Sequence, residues 1–171
     1  VQAQLKRMAD LLLAALLLLI TAPFMAAAAL LIWLEDRGRI FYLQQRTGWF
    51  GHPFTVFKLR TMSVQSVNAP AQWTQVDDQR ITSIGNVLRR LRLDELPQLL
   101  SVIKGEMSLI GPRPERPELE HQLELCIPHY RKRHWMRPGL SGWAQVSAPY
   151  ASSIEDSDLK LSYDLYYLRH F

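Results

Sequence analysis

The longest apolar run of the chain lies near its start. Residues 11–34 carry no charged side chain and consist mainly of leucine, alanine and isoleucine. A run of this length can cross a bilayer as one helix. It is too long for the apolar part of a secretory signal peptide, and no small-residue cleavage site follows it. The pattern therefore predicts a membrane anchor.

Two topologies are open for this anchor. Pro23, at its middle, removes one backbone hydrogen bond and predicts a kink. Basic residues flank both ends, namely Lys6, Arg7, Arg37 and Arg39. A spanning helix normally carries its excess of positive charge on one side. Both features favour a re-entrant helix that enters the membrane and turns back, although proline kinks also occur in helices that span it.

Beyond the anchor, short apolar segments alternate with polar, turn-forming ones. Residues 40–43 and 54–57 are aromatic and β-branched, with glycine and proline between them, which predicts a β-hairpin. Residues 63–79 are polar and predict a mobile loop. We expect an α+β fold dominated by helices, organised as an anchor over 1–39 and one continuous unit over 40–171.

Most of the remaining pattern is helical. Asn86 is expected to cap a helix over 86–93. Residues 115–136 predict a second helix, which the proline near its end should break or kink. Residues 154–168 predict a last, amphipathic helix. A strand-like segment, 144–146, follows a turn-rich loop.

Composition and charge narrow the class of protein. The chain has 171 residues, a net charge of +4, and one cysteine, Cys126, which excludes an internal disulfide and the usual zinc patterns. A sequence pI near 9.4 suits polyanionic partners such as anionic lipids, phosphorylated substrates or nucleic acid. The apolar run argues against nucleic acid, and the composition with its single cysteine predicts an intracellular or cytoplasm-facing protein.

The most informative chemistry lies between residues 93 and 114. Asp94 and Glu95 precede a short apolar helix pattern, and Pro97 is tolerated in a first helical turn. Asp94 is therefore a candidate N-cap, where the helix dipole keeps a carboxylate ionised and welcomes phosphate. The helix is expected to end at Gly105. Taken alone, the pair is equally consistent with a structural role, as a helix cap plus a first-turn acid, and with a role in binding or catalysis.

Several cations are placed to bind phosphate. Lys58 and Arg60 close the second predicted strand, and Arg80 lies in a polar segment. Arg113 lies between two prolines, and a rigid loop lowers the ordering cost of binding. Each cation alone is explained as a surface charge. Glycine motifs of nucleotide triphosphatases and dinucleotide folds are missing from the sequence, so the combination points to phosphoryl chemistry of another kind.

An ordered series of motifs runs from about Lys6 to Tyr167. It comprises Arg46-Thr-Gly48, Phe57-Lys58-Leu-Arg60-Thr-Met62, Arg80-Ile-Thr82 with Gly85 and Arg89, Leu-Asp94-Glu95-Leu-Pro97-Gln98, Gly111-Pro-Arg113-Pro114, Arg137-Pro-Gly139 through Trp143-Ala-Gln145-Val, and Asp164-x-Tyr166-Tyr167. Together these motifs resemble those of the bacterial sugar transferases, also called monotopic phosphoglycosyl transferases. The resemblance covers nearly the whole chain.

The resemblance implies an enzyme, a polyprenyl-phosphate sugar-1-phosphate transferase. It would act at the cytoplasmic face of the bacterial inner membrane, anchored by a re-entrant helix bent at Pro23, with residues 40–171 as the catalytic domain. A UDP-sugar would donate the sugar phosphate and a polyprenyl phosphate such as undecaprenyl phosphate would accept it, with Mg²⁺ as cofactor and UMP as product. The alternative is a catalytically inactive membrane scaffold that recruits enzymes of glycan assembly.

The same resemblance implies roles for individual residues. Asp94 would be the nucleophile and form a covalent phosphosugar-aspartyl intermediate, which lets one site serve a soluble donor and a lipid acceptor in turn. Mg²⁺, bound by Asp94 and Glu95, would offset repulsion between Asp94 and the phosphates. Glu95 would assist as metal ligand or proton handler. The expected phosphate- or substrate-binding residues are Lys58, Arg60, Arg80, Arg113 and Asp164. The transferred sugar and the oligomeric state stay open.

Overall fold

The apolar run forms one long helix, α1 (Gln2–Asp36), in the computed structural model, which describes residues 2–63, 78–148 and 153–170. Within those residues, α1 is the helix that is long and apolar enough to cross a membrane. Most of its leucine side chains are exposed, which fits a membrane anchor. Pro23 lies inside this continuous helix, so the anchor is not divided into two helices at the proline, and the predicted re-entrant topology stays a prediction.

The predicted hairpin is confirmed. Strands β1 (Phe41–Thr47) and β2 (Pro53–Leu59) pair antiparallel along their whole length. A 3₁₀ turn, Trp49–Gly51, joins them, and Gly51 has a positive φ of 81° that favours glycine. β1 continues four residues beyond its predicted end, through polar residues that pair with β2, and β2 extends past its predicted bounds at both ends. The predicted loop over 63–79 lies, apart from its ends, outside the described residues.

The next helix begins earlier than predicted. Helix α2 (Ser83–Arg90) is capped by Thr82, whose hydroxyl accepts a hydrogen bond from the Gly85 amide at 2.9 Å. Asn86 lies inside this helix, so the predicted cap and both predicted bounds were wrong. Two residues with capping side chains stand close together here, and the upstream one defines the start.

The segment around Asp94 and Glu95, here called the acid pair, combines two helical forms. A 3₁₀ turn, Leu93–Gln98, contains the acid pair and Pro97, and leads directly into helix α3 (Leu99–Lys104). Gly105 ends α3 in the left-handed conformation with a φ of 91°, which confirms the predicted stop. Pro97 therefore lies in the 3₁₀ turn ahead of the regular helix.

The remaining elements complete the fold around a second small sheet. They are β3 (Ser108–Ile110), helix α4 (Pro117–Cys126), the 3₁₀ turn Tyr130–Trp135, β4 (Gly139–Ser141), helix α5 (Trp143–Ser147) and helix α6 (Ile154–His170). Strands β3 and β4 are parallel neighbours. The predicted helix over 115–136 is interrupted around Pro128, as its proline suggested. The predicted strand over 144–146 is wrong, because that segment is helical and the strand lies before it.

Helix α1 contributes to two buried apolar clusters of the fold. The first, the α1–α3 cluster, consists of Ala14, Leu99, Val102 and Met107. The second, the α1–β2 cluster, consists of Ala28, Ile32, Leu59 and Leu88. Leu96 packs on the first cluster and Leu93 on the second. The two halves of α1 therefore pack on either end of the 3₁₀ turn that carries the acid pair.

Polar contacts attach both ends of α1 to the same body. Near its start, the Ser108 hydroxyl donates a hydrogen bond to Asp10 at 2.7 Å. Arg7 donates to main-chain carbonyl groups at the end of α3. At the other end, Arg60 forms a two-pronged ion pair with Asp36, with one Nη1–Oδ2 distance of 2.6 Å. Residues near both ends of α1 are therefore bound to the rest of the fold.

Candidate active site

The acid pair begins a turn that is entered through a strained residue. Arg92, just before this turn, has a φ of 58°, a left-handed conformation that costs a non-glycine residue about 1–2 kcal/mol. Such strain is common at functional sites. Arg92 and Gln98 hold the cap positions of the 3₁₀ turn and of α3. The predicted N-cap role of Asp94 was therefore wrong: the acid pair occupies the first turn instead.

Glu95 is held between two cations from distant parts of the chain. Its Oε1 lies 2.7 Å from Nζ of Lys58, on β2. It also lies 2.7 Å from Nη2 of Arg113, in the loop over residues 112–114, here called the proline loop. Burial alone would raise the pKa of Glu95, but these two cations hold the pKa at about 2. The carboxylate is therefore ionised at neutral pH. Lys58 and Arg113, both predicted to bind phosphate, meet beside the acid pair.

The pKa of Glu95 predicts a pH-dependent contribution to stability. Because the pKa falls from 4.5 to about 2 on folding, the ion pairs stabilise the fold above about pH 4.5 and lose this contribution as the pH falls toward 2. The contribution is on the order of 3 kcal/mol. We expect Glu95→Gln to lower the free energy of unfolding near neutral pH, and the difference from wild type to shrink during acidification.

Equilibrium denaturation in detergent at a series of pH values measures this difference. Glu118→Gln is the matched control, because Glu118 is an exposed glutamate. It should show no pH-dependent difference from wild type. A Glu95→Gln difference of equal size at neutral pH and at about pH 3 would contradict the assigned ion pairs.

Asp94 differs from its neighbour in its hydrogen bonding. It is 8 % exposed, and among the described residues its Oδ1 has no hydrogen-bond partner. Burial raises the pKa of Asp94, Lys58 opposes the shift and the Glu95 carboxylate adds to it. A buried carboxylate oxygen without a partner is costly, so an incoming phosphorus or cation gains from meeting it. The two acids thus have different environments and suit different roles.

Two further arginines lie around the site and were not predicted as site residues. Arg89, on α2, donates from Nε to the Thr61 hydroxyl at 2.8 Å, and its charge lowers the pKa of Asp94. Arg46, on β1, donates from Nη1 to the Pro114 carbonyl at 3.0 Å, next to Arg113. Both occur in the motifs of the sequence, which was the available signal for them.

Arg60 and Arg80 have other partners among the described residues. Arg60 is 5 % exposed and is bound by Asp36 of α1. Arg80 donates from Nε to Asp78 at 2.8 Å. The described contacts bring neither of them to the acid pair, so their predicted binding of phosphate stays a prediction. The contact of Arg60 instead connects the anchor to β2.

Among the described residues, Asp164 is connected to the site through the side chain of Arg133. It is 2 % exposed, and its Oδ2 lies 2.9 Å from Nη2 of Arg133. The same nitrogen donates to the main-chain carbonyl of Arg113 at 2.9 Å. Asp164 therefore supports the proline loop from behind, whereas a direct contact with substrate stays a prediction.

The environment of Asp94 fits Mg²⁺ better than that of Glu95. Across the described residues, no group of three or more His, Cys, Asp or Glu side chains is arranged to hold a metal. Mg²⁺ commonly uses one or two carboxylates and completes its shell with water and substrate phosphates. The unpartnered Oδ1 of Asp94 suits such an ion, while Glu95 faces Lys58 and Arg113. The residues present therefore fit an ion shared with a diphosphate substrate.

The fold combines a long apolar helix that fits membrane association with a buried acid pair framed by cations, an arrangement suited to phosphate groups. Comparison with known proteins makes the assignment specific. The family model described as bacterial sugar transferase matches residues 1–171, and the chain belongs to this family. The resemblance seen in the motifs is thereby confirmed.

Curated relatives carry transferase names. The chain is 44 % identical over 171 residues to the UDP-N-acetylgalactosamine-undecaprenyl-phosphate N-acetylgalactosaminephosphotransferase of Aeromonas hydrophila, covering 100 % of this chain and 40 % of that protein. It is 37 % identical over 169 residues to the UDP-glucose:undecaprenyl-phosphate glucose-1-phosphate transferase of Escherichia coli, covering 98 % and 36 % respectively. A putative undecaprenyl-phosphate N-acetylgalactosaminyl 1-phosphate transferase of Bacillus subtilis is 44 % identical over 128 residues, covering 75 % and 72 %. The chain thus spans less than half the length of the first two relatives.

Proposed function

We propose that this protein transfers a sugar 1-phosphate from a UDP-sugar to a polyprenyl phosphate and releases UMP. The observation that carries the proposal is the unpartnered carboxylate oxygen of Asp94 beside Glu95, whose ion pairs hold Lys58 and Arg113 at the same place. Membership of the bacterial sugar transferase family supports the reaction class. The names of the relatives supply the donor and acceptor classes, including undecaprenyl phosphate.

The chemistry takes place in two displacements at one phosphorus atom. A carboxylate oxygen of Asp94 attacks the sugar-bearing phosphorus of the donor, the phosphoanhydride bond breaks, and UMP leaves with the bonding electrons. A phosphate oxygen of the polyprenyl phosphate then attacks the same phosphorus and displaces the carboxylate. The product is a polyprenyl diphosphate sugar, and Asp94 is regenerated.

Lys58, Arg113 and the metal would offset the negative charge of the phosphate groups that react at this site. Lys58 and Arg113 bind phosphate oxygens, and Glu95 keeps both cations in place between turnovers. When bound, Mg²⁺ supplies further positive charge that lets the Asp94 carboxylate approach the anionic donor. Within the acid pair, Asp94 is thus the nucleophile, and Glu95 is the ionised carboxylate that holds the two cations.

A re-entrant anchor is part of the proposal. The start of α1 is bound through Asp10 and its end through Asp36, and both contacts reach the same body. A helix that crossed about 30 Å of hydrocarbon would leave its two ends on opposite faces. Pro23 lies in the exposed middle of α1, where the chain turns back in this topology. With this face in the cytoplasm, the site has access to UDP-sugars and to lipid acceptors of the inner membrane.

Release of UMP is the direct test of the function. The purified protein, in nanodiscs with undecaprenyl phosphate and Mg²⁺, is offered a panel of UDP-sugars that includes UDP-glucose and UDP-N-acetylgalactosamine. We expect sustained UMP release with at least one donor, and release limited to about one equivalent per enzyme when the acceptor is omitted. Absence of UMP with every donor would contradict the proposal and would leave the scaffold, which the relatives' names do not favour.

A further inference from the structure

The loop that carries Arg113 is held through three consecutive carbonyl groups. Pro112 and Pro114 have no amide hydrogen, so the loop has few donors with which to fix itself. Instead, the Pro112 carbonyl accepts from the Gly139 amide at 2.8 Å, and the Pro114 carbonyl accepts from Arg46 at 3.0 Å. The carbonyl between them, that of Arg113 itself, accepts from a buried side chain.

That buried side chain is Arg133, in the 3₁₀ turn Tyr130–Trp135. It is 5 % exposed, and one of its terminal nitrogens, Nη2, is shared between the Arg113 carbonyl and Asp164, at 2.9 Å from each. The other, Nη1, donates to the Tyr130 hydroxyl at 2.5 Å. The planar fork of a guanidinium makes such simultaneous contacts, whereas the single ammonium group of a lysine does not reproduce them.

We propose that Arg133 is a positioning residue that sets the side chain of Arg113 against the acid pair by fixing its main chain. The path has three steps: Asp164 and Tyr130 orient Arg133, Arg133 holds the Arg113 carbonyl, and the Arg113 guanidinium binds Glu95 at 2.7 Å. This inference rests on the proposed function, since it assigns Arg113 to phosphate binding in that reaction.

The energetics of burial favour a positioning role over a purely stabilising one. Arg133 and Asp164 are both almost fully buried, and a buried ion pair contributes little net stability because desolvation opposes the attraction. What such a pair fixes firmly is geometry. A misplacement of about 1 Å in a group that positions substrate lowers turnover by about 10²-fold. The expected signature is therefore in catalysis and in its dependence on Arg113.

A double-mutant cycle on turnover tests this dependence. Arg133→Lys keeps the positive charge beside Asp164 and loses the fork, so kcat for UMP release should fall about 10–100-fold, with the KM for the UDP-sugar changing less than about threefold. In an Arg113→Lys background, the same Arg133 substitution should change kcat by less than about twofold. Tyr130→Phe, which removes only the hydroxyl partner of Nη1, should show a smaller effect of the same kind. Running both variants makes the outcome independent of the folding of either one.

Arg131 provides the control for this double-mutant cycle. Arg131→Lys alters an arginine two positions away whose side chain is 78 % exposed, and it should leave kcat unchanged. If the Arg133 and Arg113 effects multiply in full, Arg133 acts independently of Arg113 and the positioning role is overturned. An active wild type with a fully active Arg133→Lys variant would also overturn it while leaving the proposed function intact. An inactive wild type would instead contradict the proposed function.

Discussion

Replacing Asp94 by asparagine is expected to reduce UMP release by about 10³-fold or more. The amide is nearly the same size as the carboxylate but lacks the charge that attacks phosphorus and forms the acyl phosphate. Glu95 does not substitute for it, because Lys58 and Arg113 hold that carboxylate as a paired ion. The variant should still fold, since the side chain is buried with an unpartnered oxygen and the Asp94→Asn substitution introduces no new charge.

Two measurements on the same preparation check this result. The first is UMP release with the preferred donor. The second is the sugar-phosphate label that stays on the protein after denaturation when a labelled UDP-sugar is supplied without acceptor. Asp158→Asn is the matched control, because Asp158 is an exposed aspartate on α6. Turnover near the wild-type rate in Asp94→Asn, or retained label on that variant, would rule out Asp94 as the covalent carrier.

Cysteines at the two ends of α1 are expected to react with a membrane-impermeant maleimide from the same side of the membrane. Gln4 and Arg39 are both exposed and lie at opposite ends of the apolar run. A straight α1 of 35 residues would extend about 52 Å, more than the thickness of a bilayer core. Yet residues that follow α1 in the chain contact it near both ends, Ser108 through Asp10 and Arg60 through Asp36. If these contacts persist in the membrane, both ends of α1 stay on one face.

The chain offers an internal reference for this labelling. Cys126, an exposed free cysteine on α4, reports the side of the membrane on which residues 40–171 lie. Gln4→Cys and Arg39→Cys are each made in a Cys126→Ser background, and the unmodified chain is labelled in parallel. All three positions should be protected in intact spheroplasts and should react in inverted vesicles. Opposite labelling of positions 4 and 39 would exclude the re-entrant anchor.

The elements that the sequence predicted correctly are those with a strong local pattern. The apolar run of α1, the hairpin β1–β2 and the helix α6 each follow a pattern of apolar residues within their own segment. The errors lie where local chemistry offers several solutions. Thr82 and Asn86 are both good caps, and only packing against the rest of the chain decides between them. Strand β4 exists because β3 lies beside it, which no pattern in its own three residues indicates.

The site was predicted in part for the same reason. The acid pair, Lys58 and Arg113 stand in conspicuous local contexts, and the structure brings them together. Arg133 was not predicted as a site residue. Its role depends on a buried contact with Asp164, on a different helix, and on a carbonyl of the proline loop. Long-range pairings of this kind leave no periodicity in a single sequence.

The packing of α1 connects the proposed membrane anchor to the 3₁₀ turn that carries the acid pair. Leu93 and Leu96 flank the acid pair, and each packs on a different half of the anchor. In the proposed re-entrant topology, the depth of α1 in the membrane would set the height of the Asp94 carboxylate above the lipid. Changes in bilayer thickness or lateral pressure would then act on both halves of α1 and so on the position of Asp94. The lipid composition would affect the structure of the site as well as supply the proposed polyprenyl phosphate acceptor.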